Sequence, residues 1–525
     1  MSLARNTLVQ SGLTLSSRIL GFLRDVLLAA RIGAGPIGDA WATALMFPNL
    51  FRRIFAEGAF AQAFVPSYAR TLEEHGPEAA QNVADDALKV LFAFTALVTL
   101  VAQFAMPWIM AVIHGGQAND TENFNLAIFL TRITMPYLTC MSLAALLSGV
   151  LNTYSRFILS AGVPILLNIC LIASTFTGYV PGLSFDPRLV AQAAAYAVLI
   201  AGVLQGFVLY WGVRRQNVRL SLIGLPRLTP SVKKVMMLAI PGTIAASGTQ
   251  VNILVSQSLA SFEVSAKTWL YYADRLYQLP LGLVGVAVGV AILPRLSRAA
   301  RRDDGEDGRR TMDEGIGLAM ALTLPAAAAL FIAPAFLIEG IFTRGAFTAE
   351  DATAASRALV HYAWGVPAFV LIKVLAPAFF AREDTKTPMQ FALISVAVNT
   401  ALGAGLFIWF RDMGWAGFPG LAIATSIAAW VNVVLLFTTL VLRGYYRPGR
   451  VLIGRLIRAA MATALMSAVL LALISQMDIL RAYTFDRKII TTLVFIALGG
   501  IAYGLSALIT GAIRISDLRR ASKRS

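Results

Sequence analysis

Cysteine and histidine are almost missing, with two and three copies in 525 residues. Cys140 and Cys170 both lie in apolar runs, so they read as packed thiols and not as a disulfide or a metal cluster. His75, His114 and His361 are scattered, which leaves no zinc spacing. Charge is scarce too: Asp, Glu, Lys and Arg make up 14% of the chain, where soluble proteins carry about 25%. A disordered chain, a secreted disulfide scaffold and a nucleic-acid-binding domain are all excluded. Long polar inserts are lacking as well. The largest, near 298–313 (RAARRDDGEDGRRTMD), is charged at both signs and reads as solvated, and no soluble catalytic domain is attached. The amino-terminal MSLARNTLVQSG has no short apolar core with a small-residue cleavage site, so it reads as the start of a first span.

Apolar residues are what the chain has in excess. They reach 58% before the 41 glycines are counted, against about 45–50% with glycine in soluble domains. Lipid must therefore be the solvent. A span needs about 20 mostly apolar residues. The pattern predicts about fourteen, near 6–32, 37–69, 87–113, 124–151, 158–180, 188–213, 231–260, 266–296, 314–342, 354–381, 387–410, 416–442, 451–476 and 488–513. The fold class is thus an all-α polytopic membrane protein.

The net charge of +16 belongs to alternate loops. One set holds Arg214, Arg215, Arg219, Arg227, Lys233 and Lys234, then Arg298, Arg301, Arg302, Arg309 and Arg310, then Arg443, Arg447 and Arg450, then Arg519, Arg520, Lys523 and Arg524. The other set holds few basic residues, such as Arg344, Arg411, Arg481 and Arg487. Positive loops stay in the cytoplasm, which puts both termini there. The acidic segment 70–86, read as a loop, departs from the trend.

An internal repeat adds architecture. Spans two and eight end in Val65-Pro66-Ser67-Tyr68-Ala69-Arg70 and Leu293-Pro294-Arg295-Leu296-Ser297-Arg298. Spans four and ten exit through Leu151-Asn152-Thr153-Tyr154-Ser155-Arg156 and Phe379-Phe380-Ala381-Arg382-Glu383-Asp384. A helix with a mid-span Asn follows each, at Asn168 and Asn399. A same-direction repeat implies two six-helix lobes around a central cavity, related by an axis along the membrane normal. The predicted domains are 1–230, 231–446 and a two-helix remainder at 447–525.

Ionisable residues inside spans are costly and mark function unless they are paired. Here they concentrate in span one (Arg18, Arg24, Asp25), span two (Asp39, Arg52, Arg53, Glu57) and span eight (Asp274, Arg275), with Lys373 in span ten. Arginine suits phosphate oxygens because its planar fork stays charged when partly buried. An excess of Arg over acids would repel a cation and hold a phosphate or pyrophosphate. Two readings stand for these groups, a ligand cavity or fixed ion pairs with Asp25, Asp39, Glu57 and Asp274. Lys373 is a cavity cation or a side chain snorkelling to the interface. Asn49, Gln250, Asn252 and Asn399 line the cavity or bond between helices.

Gly38-Asp39-Ala40-Trp41 followed by Phe47-Pro48-Asn49-Leu50-Phe51-Arg52-Arg53-Ile54-Phe55-Ala56-Glu57-Gly58 closely resembles the MurJ (MviN) lipid II flippases of bacteria. Ser17-Arg18-Ile19-Leu20-Gly21-Phe22-Leu23-Arg24-Asp25, Tyr271-Tyr272-Ala273-Asp274-Arg275-Leu276 and Lys373-Val374-Leu375-Ala376-Pro377 agree with it. That family belongs to the multidrug/oligosaccharidyl-lipid/polysaccharide exporter superfamily. The resemblance implies two six-helix lobes plus two C-terminal helices that form a groove for the polyprenyl tail. It implies an inner-membrane transporter, not an enzyme, with no cofactor. Arg18, Arg24, Arg52 and Arg275 would bind the pyrophosphate and sugar head group, supported by Asp39, Asn49 and Glu57. Partners would be lipid II, membrane lipids and cell-wall synthesis proteins. Some members build a sodium site from a span-seven Asp and a span-eleven Asn/Asp set, whereas here span seven offers only Gln250 and Asn252. Coupling to ion or membrane potential is left open. The competing readings are a flippase for another polyprenyl-linked glycan, a drug exporter, a lipid II polymerase and a non-transporting scaffold. The short extracytoplasmic loops disfavour the polymerase.

Overall fold

A computed structural model describes residues 3–51, 59–180, 186–302, 305–477, 480–481 and 487–512. Among them the regular elements are helices, apart from one isolated bridge between Arg344 and Phe347. The chain divides into two compact units, Met1–Thr268 with Arg344–Thr348, and Trp269–Thr343 with Ala349–Ser525.

The first unit contains α1 (Leu3–Ile32), α2 (Pro36–Phe51), α3 (Ala59–Ile113), α4 (Thr121–Thr134), α5 (Tyr137–Thr153), α6 (Phe157–Ser174), α7 (Pro187–Arg214) and α8 (Pro230–Ala260). Proline opens α2, α7 and α8, where its missing N–H costs nothing. Asp186 caps α7 by accepting from the Arg188 N–H at 2.9 Å. The core is built by Phe64, Tyr68 and Leu88 of α3 with Leu147 and Leu151 of α5 and Leu209 of α7.

α3 differs from expectation, because the segment 70–86 is helical on both sides of a kink and not a loop. Gly76 takes φ 82°, a left-handed conformation open to glycine, and Pro77 restarts the helix. The Glu, Ala and Gln around this break are strong helix formers, so the acidic segment is helical on both sides of one kink.

The second unit continues with α9 (Ala266–Pro280), α10 (Val286–Arg301), α11 (Gly305–Ile332), α12 (Pro334–Phe342), α13 (Ala349–Ala363) and α14 (Val366–Phe380). It ends with α15 (Lys386–Asp412), α16 (Phe418–Leu442), α17 (Arg450–Ser475) and α18 (Lys488–Ile509). A π-helical stretch, Leu281–Gly285, follows Pro280, where the proline lacks an N–H for the regular ladder. The charged insert near 298–313 is mostly helix, since α10 ends at Arg301 and α11 starts at Gly305. Val288 and Ile292 of α10, Met312 and Ile316 of α11, and Val374 and Phe379 of α14 form the core.

The repeated exits of spans four and ten fold alike. Ser155 and Glu383 both take positive φ, 58° and 62°. The Arg156 N–H reaches the Leu151 carbonyl at 2.9 Å, and the Asp384 N–H reaches that of Phe379 at 3.1 Å. Each is a Schellman-type helix end at the same position of the two hexapeptides.

Ten helical stretches among the described residues are long and apolar enough to cross a membrane. Several helices fall outside that number: α2, α9 and α10 are each 16 residues or fewer, and α1 carries Arg18, Arg24 and Asp25 in its apolar run. The charges that suggest function are the same ones that weaken the apolar signal. Phe104, Trp108 and Val112 of α3 are each about 70% exposed, a surface suited to lipid and not to water.

Candidate functional site

Two residues of α1 turn inward. Arg24 and Asp25 are buried, and Arg24 Nε and Nη2 donate to Asp25 Oδ1 at 2.9 and 2.7 Å. Arg24 Nη1 donates to Asn168 Oδ1 of α6 at 2.9 Å, and Asn168 Nδ2 donates to the Ser17 carbonyl at 2.9 Å. One guanidinium thus ties α1 to α6. Arg18 lies about 120° around the helix from Arg24. It is exposed beside Leu15 and Ile19, with no ion pair among the described residues.

Asp39, in the first turn of α2, is fully buried. Its carboxylate accepts from Gln117 Nε2 (2.7 Å), the Ser265 N–H (2.8 Å), the Thr268 N–H (3.0 Å) and Thr268 Oγ1 (2.8 Å). Asp39 therefore caps the start of α9 from another helix, where the exposed N–H groups favour an anion. Ser265 is held at φ 71°, a left-handed conformation that is costly for a serine and is fixed by this contact.

Lys267 is also fully buried. Its Nζ donates to Thr43 Oγ1 (2.9 Å), the Ile113 carbonyl (2.9 Å) and His114 Nδ1 (2.8 Å). Thr43 Oγ1 in turn donates to the Asp39 carbonyl at 2.8 Å. The ammonium can only donate, so His114 Nδ1 accepts and its proton sits on Nε2, which has no partner. Burial, with the Lys267 ammonium beside it, pushes the His114 imidazole down to about 3. The cluster joins α2, the end of α3 and the α8–α9 turn within the first unit. A second tie fixes the end of α1: the Ala346 N–H donates to the Ala30 carbonyl at 2.9 Å. Gly33 and Gly345 both have positive φ, and a Cβ on either would collide with backbone oxygen.

In the second unit Arg275 is half-buried. Its Nη2 donates to the Tyr271 hydroxyl at 2.7 Å, and its guanidinium lies 4.7 Å from that ring's centroid. Asp274 accepts from Gln278. Lys373 is exposed on α14. Asn49 is half-buried and its Nδ2 donates to the Leu45 carbonyl of its own helix at 3.1 Å. Asn399 accepts from Thr425 Oγ1 at 3.5 Å, while Gln250 is buried and Asn252 half-buried. Arg52, Arg53 and Glu57 lie outside the described residues. The sequence reading picks out Asp39 but misses Lys267, His114 and Gln117. No fixed spacing links residues so far apart, and a lysine at a helix start ordinarily reads as solvated. Among the described residues no group of three or more His, Cys, Asp or Glu is placed to hold a metal.

Comparison with known proteins agrees with this architecture. The family described as Lipid II flippase MurJ matches residues 28–486. A probable lipid II flippase MurJ of Rhizobium tropici is 40% identical, covering 100% of this chain and 97% of that protein. The lipid II flippase MurJ of Burkholderia cenocepacia is 37% identical over 85% of this chain and 86% of its own. A solved lipid II flippase MurJ in an inward closed conformation shares the fold, with a TM-score of 0.76 at 24% identity over 96% of this chain and 98% of that one. An inward-facing MATE multidrug transporter shares it more distantly, with a TM-score of 0.67 at 16% identity over 83% and 97%. A polytopic helical fold and a match along nearly the whole length place this chain in the MurJ lipid II flippase family.

Proposed function

We propose that this chain moves lipid II, the undecaprenyl-pyrophosphate-linked disaccharide-pentapeptide, from the cytoplasmic to the periplasmic leaflet of a bacterial inner membrane. The observation that carries the reading is 40% identity to a probable lipid II flippase along the full length of the chain. Transport proceeds by alternating access, without covalent chemistry. The reading takes fourteen spans, lobes at 1–230 and 231–446, a tail groove within 447–525, and both termini in the cytoplasm. The matched helix ends at Ser155 and Glu383 support the repeat behind the lobes.

Arg18, Arg24, Arg52 and Arg275 receive the pyrophosphate, with Asp39, Asn49, Glu57 and Lys373 around them. Arg18 is exposed, and Arg275 is half-buried with its guanidinium against Tyr271. Arg24 joins by exchanging Asp25 or Asn168 for a phosphate oxygen, one charge-assisted contact for another. Such a swap lets binding differ between two states, which is what drives a cycle. Asp39 and Lys267 tie α2 to the α8–α9 turn. For the drug-exporter alternative the support is likeness of fold alone. Reconstituted vesicles test the mechanism: simultaneous Ala substitution of Arg18, Arg24, Arg52 and Arg275 abolishes lipid II translocation. Undiminished translocation by that variant overturns the arginine mechanism.

A further inference from the structure

A cleft of about 630 Å³ runs along α10 and α11, apart from the residues assigned to the head group. Its volume falls in the ~300–1,000 Å³ range of ligand sites. Val284, Val288 and Ile292 form one wall, and Leu318, Leu322 and Ala326 the other. Leu318 and Leu322 are about half exposed, so the cleft opens sideways.

Its charged end is built differently. Arg295 Nη1 donates to Glu314 Oε2 at 2.9 Å, and Arg310 Nε donates to Glu314 Oε1 at 3.2 Å. Two guanidiniums share one carboxylate, Arg295 lining the cleft beside Glu314 and Arg310 standing exposed just outside it, which leaves an excess positive charge at the mouth. Beside it Thr311 lines the cleft, fully buried, and its Oγ1 has no hydrogen-bond partner. A buried hydroxyl without a partner is costly, so an acceptor at this point would relieve it.

From Thr311 to Ala326 the wall rises through fifteen residue steps, about 22 Å at ~1.5 Å each. That length spans the ~15 Å hydrocarbon of one leaflet and reaches into its head-group layer. We infer that this cleft is a binding site for an anionic glycerophospholipid of the surrounding bilayer, with an acyl chain between α10 and α11 and the phosphate between Arg295, Arg310 and Thr311. The excess charge selects an anionic head, and the apolar walls are indifferent to it. The site is independent of the transported lipid.

The test uses full-length, delipidated protein titrated with dioleoyl phosphatidylglycerol or dioleoyl phosphatidylcholine, with bound lipid counted by native mass spectrometry. One phosphatidylglycerol binds about tenfold more tightly than phosphatidylcholine, a difference of ~1.4 kcal/mol. The double variant Arg295→Gln/Arg310→Gln loses that preference. Leu322→Trp, at a half-exposed position that tolerates bulk, fills the cleft and loses the tight site altogether. Thermal unfolding of both variants stays at the wild-type value. Equal retention of the two lipids by the wild type, or a preference surviving both variants, overturns the site. Displacement of phosphatidylglycerol one for one by tighter-binding undecaprenyl phosphate assigns the cleft to substrate instead and overturns it equally.

Discussion

Asp39 and Lys267 are both fully buried, and each is held by its own set of hydrogen bonds and not by a direct ion pair. Removing either side chain leaves its buried partners unsatisfied, which typically costs about 1–3 kcal/mol for each group. His114 gives the cluster a pH dependence. Folded, its imidazole remains neutral down to about pH 3 because burial and the Lys267 ammonium oppose a second charge. Unfolded, it takes a proton near its ordinary value of ~6.5. Between those limits the unfolded chain binds the additional proton, so stability falls as pH falls. The slope reaches at most about 1.4 kcal/mol per pH unit. Thermal unfolding in detergent from pH 7 to pH 4 shows this loss for the wild type, and His114→Gln flattens the part that His114 causes. An unchanged slope in His114→Gln contradicts the assignment.

Among the elements, α1 and α6 show how a transport residue and a structural one coincide. Arg24→Ala takes the guanidinium away from Asp25, which is 2% exposed, and breaks the bond to Asn168. Losing one partner of a buried pair lowers stability, by up to about 3–5 kcal/mol. Adding Asp25→Asn removes the buried carboxylate charge and recovers part of that stability. If Arg24 also meets pyrophosphate, the double variant remains unable to translocate lipid II in vesicles. Recovery of both stability and translocation would reduce Arg24 to a fixed staple. The sequence makes α1 legible because its charges interrupt an apolar run. It hides the staple, since Asn168 is 144 residues away and looks like any mid-span amide. Helix α3 is a different failure. Gly76-Pro77 reads as a loop signal, yet the flanking residues favour helix and only one kink results. Lys267 was hidden by its polar type, as burial of an ammonium depends on acceptors contributed by Thr43, Ile113 and His114.

At the scale of the whole molecule, hydrogen bonds fix which segments share an end. The Arg219 and Ser221 N–H groups donate to Gln81 Oε1 and Asp85 Oδ1, so the acidic kinked part of α3 lies at the same end as the basic α7–α8 loop. The Gly116 N–H donates to Ser261 Oγ, which pairs the end of α3 with the far end of α8. The chain has no Asp or Glu between positions 187 and 262, while the end of α7 and the α7–α8 loop carry Arg214, Arg215, Arg219 and Arg227. Orientation follows Lys and Arg and is nearly blind to acids, so the proposed orientation puts that loop on the cytoplasmic side despite its acidic neighbour on α3. Single cysteines in a Cys140→Ala/Cys170→Ala background test this with a membrane-impermeant maleimide. Ser231→Cys and Arg302→Cys label only in inverted vesicles, and Asn119→Cys and Met413→Cys only in intact spheroplasts. The opposite pattern would mean that the arginines of the loop do not set the topology. Labelling of Ser231→Cys and Asn119→Cys from the same side would contradict the folded path of α8 itself, because its two ends are held apart by 31 residues of helix.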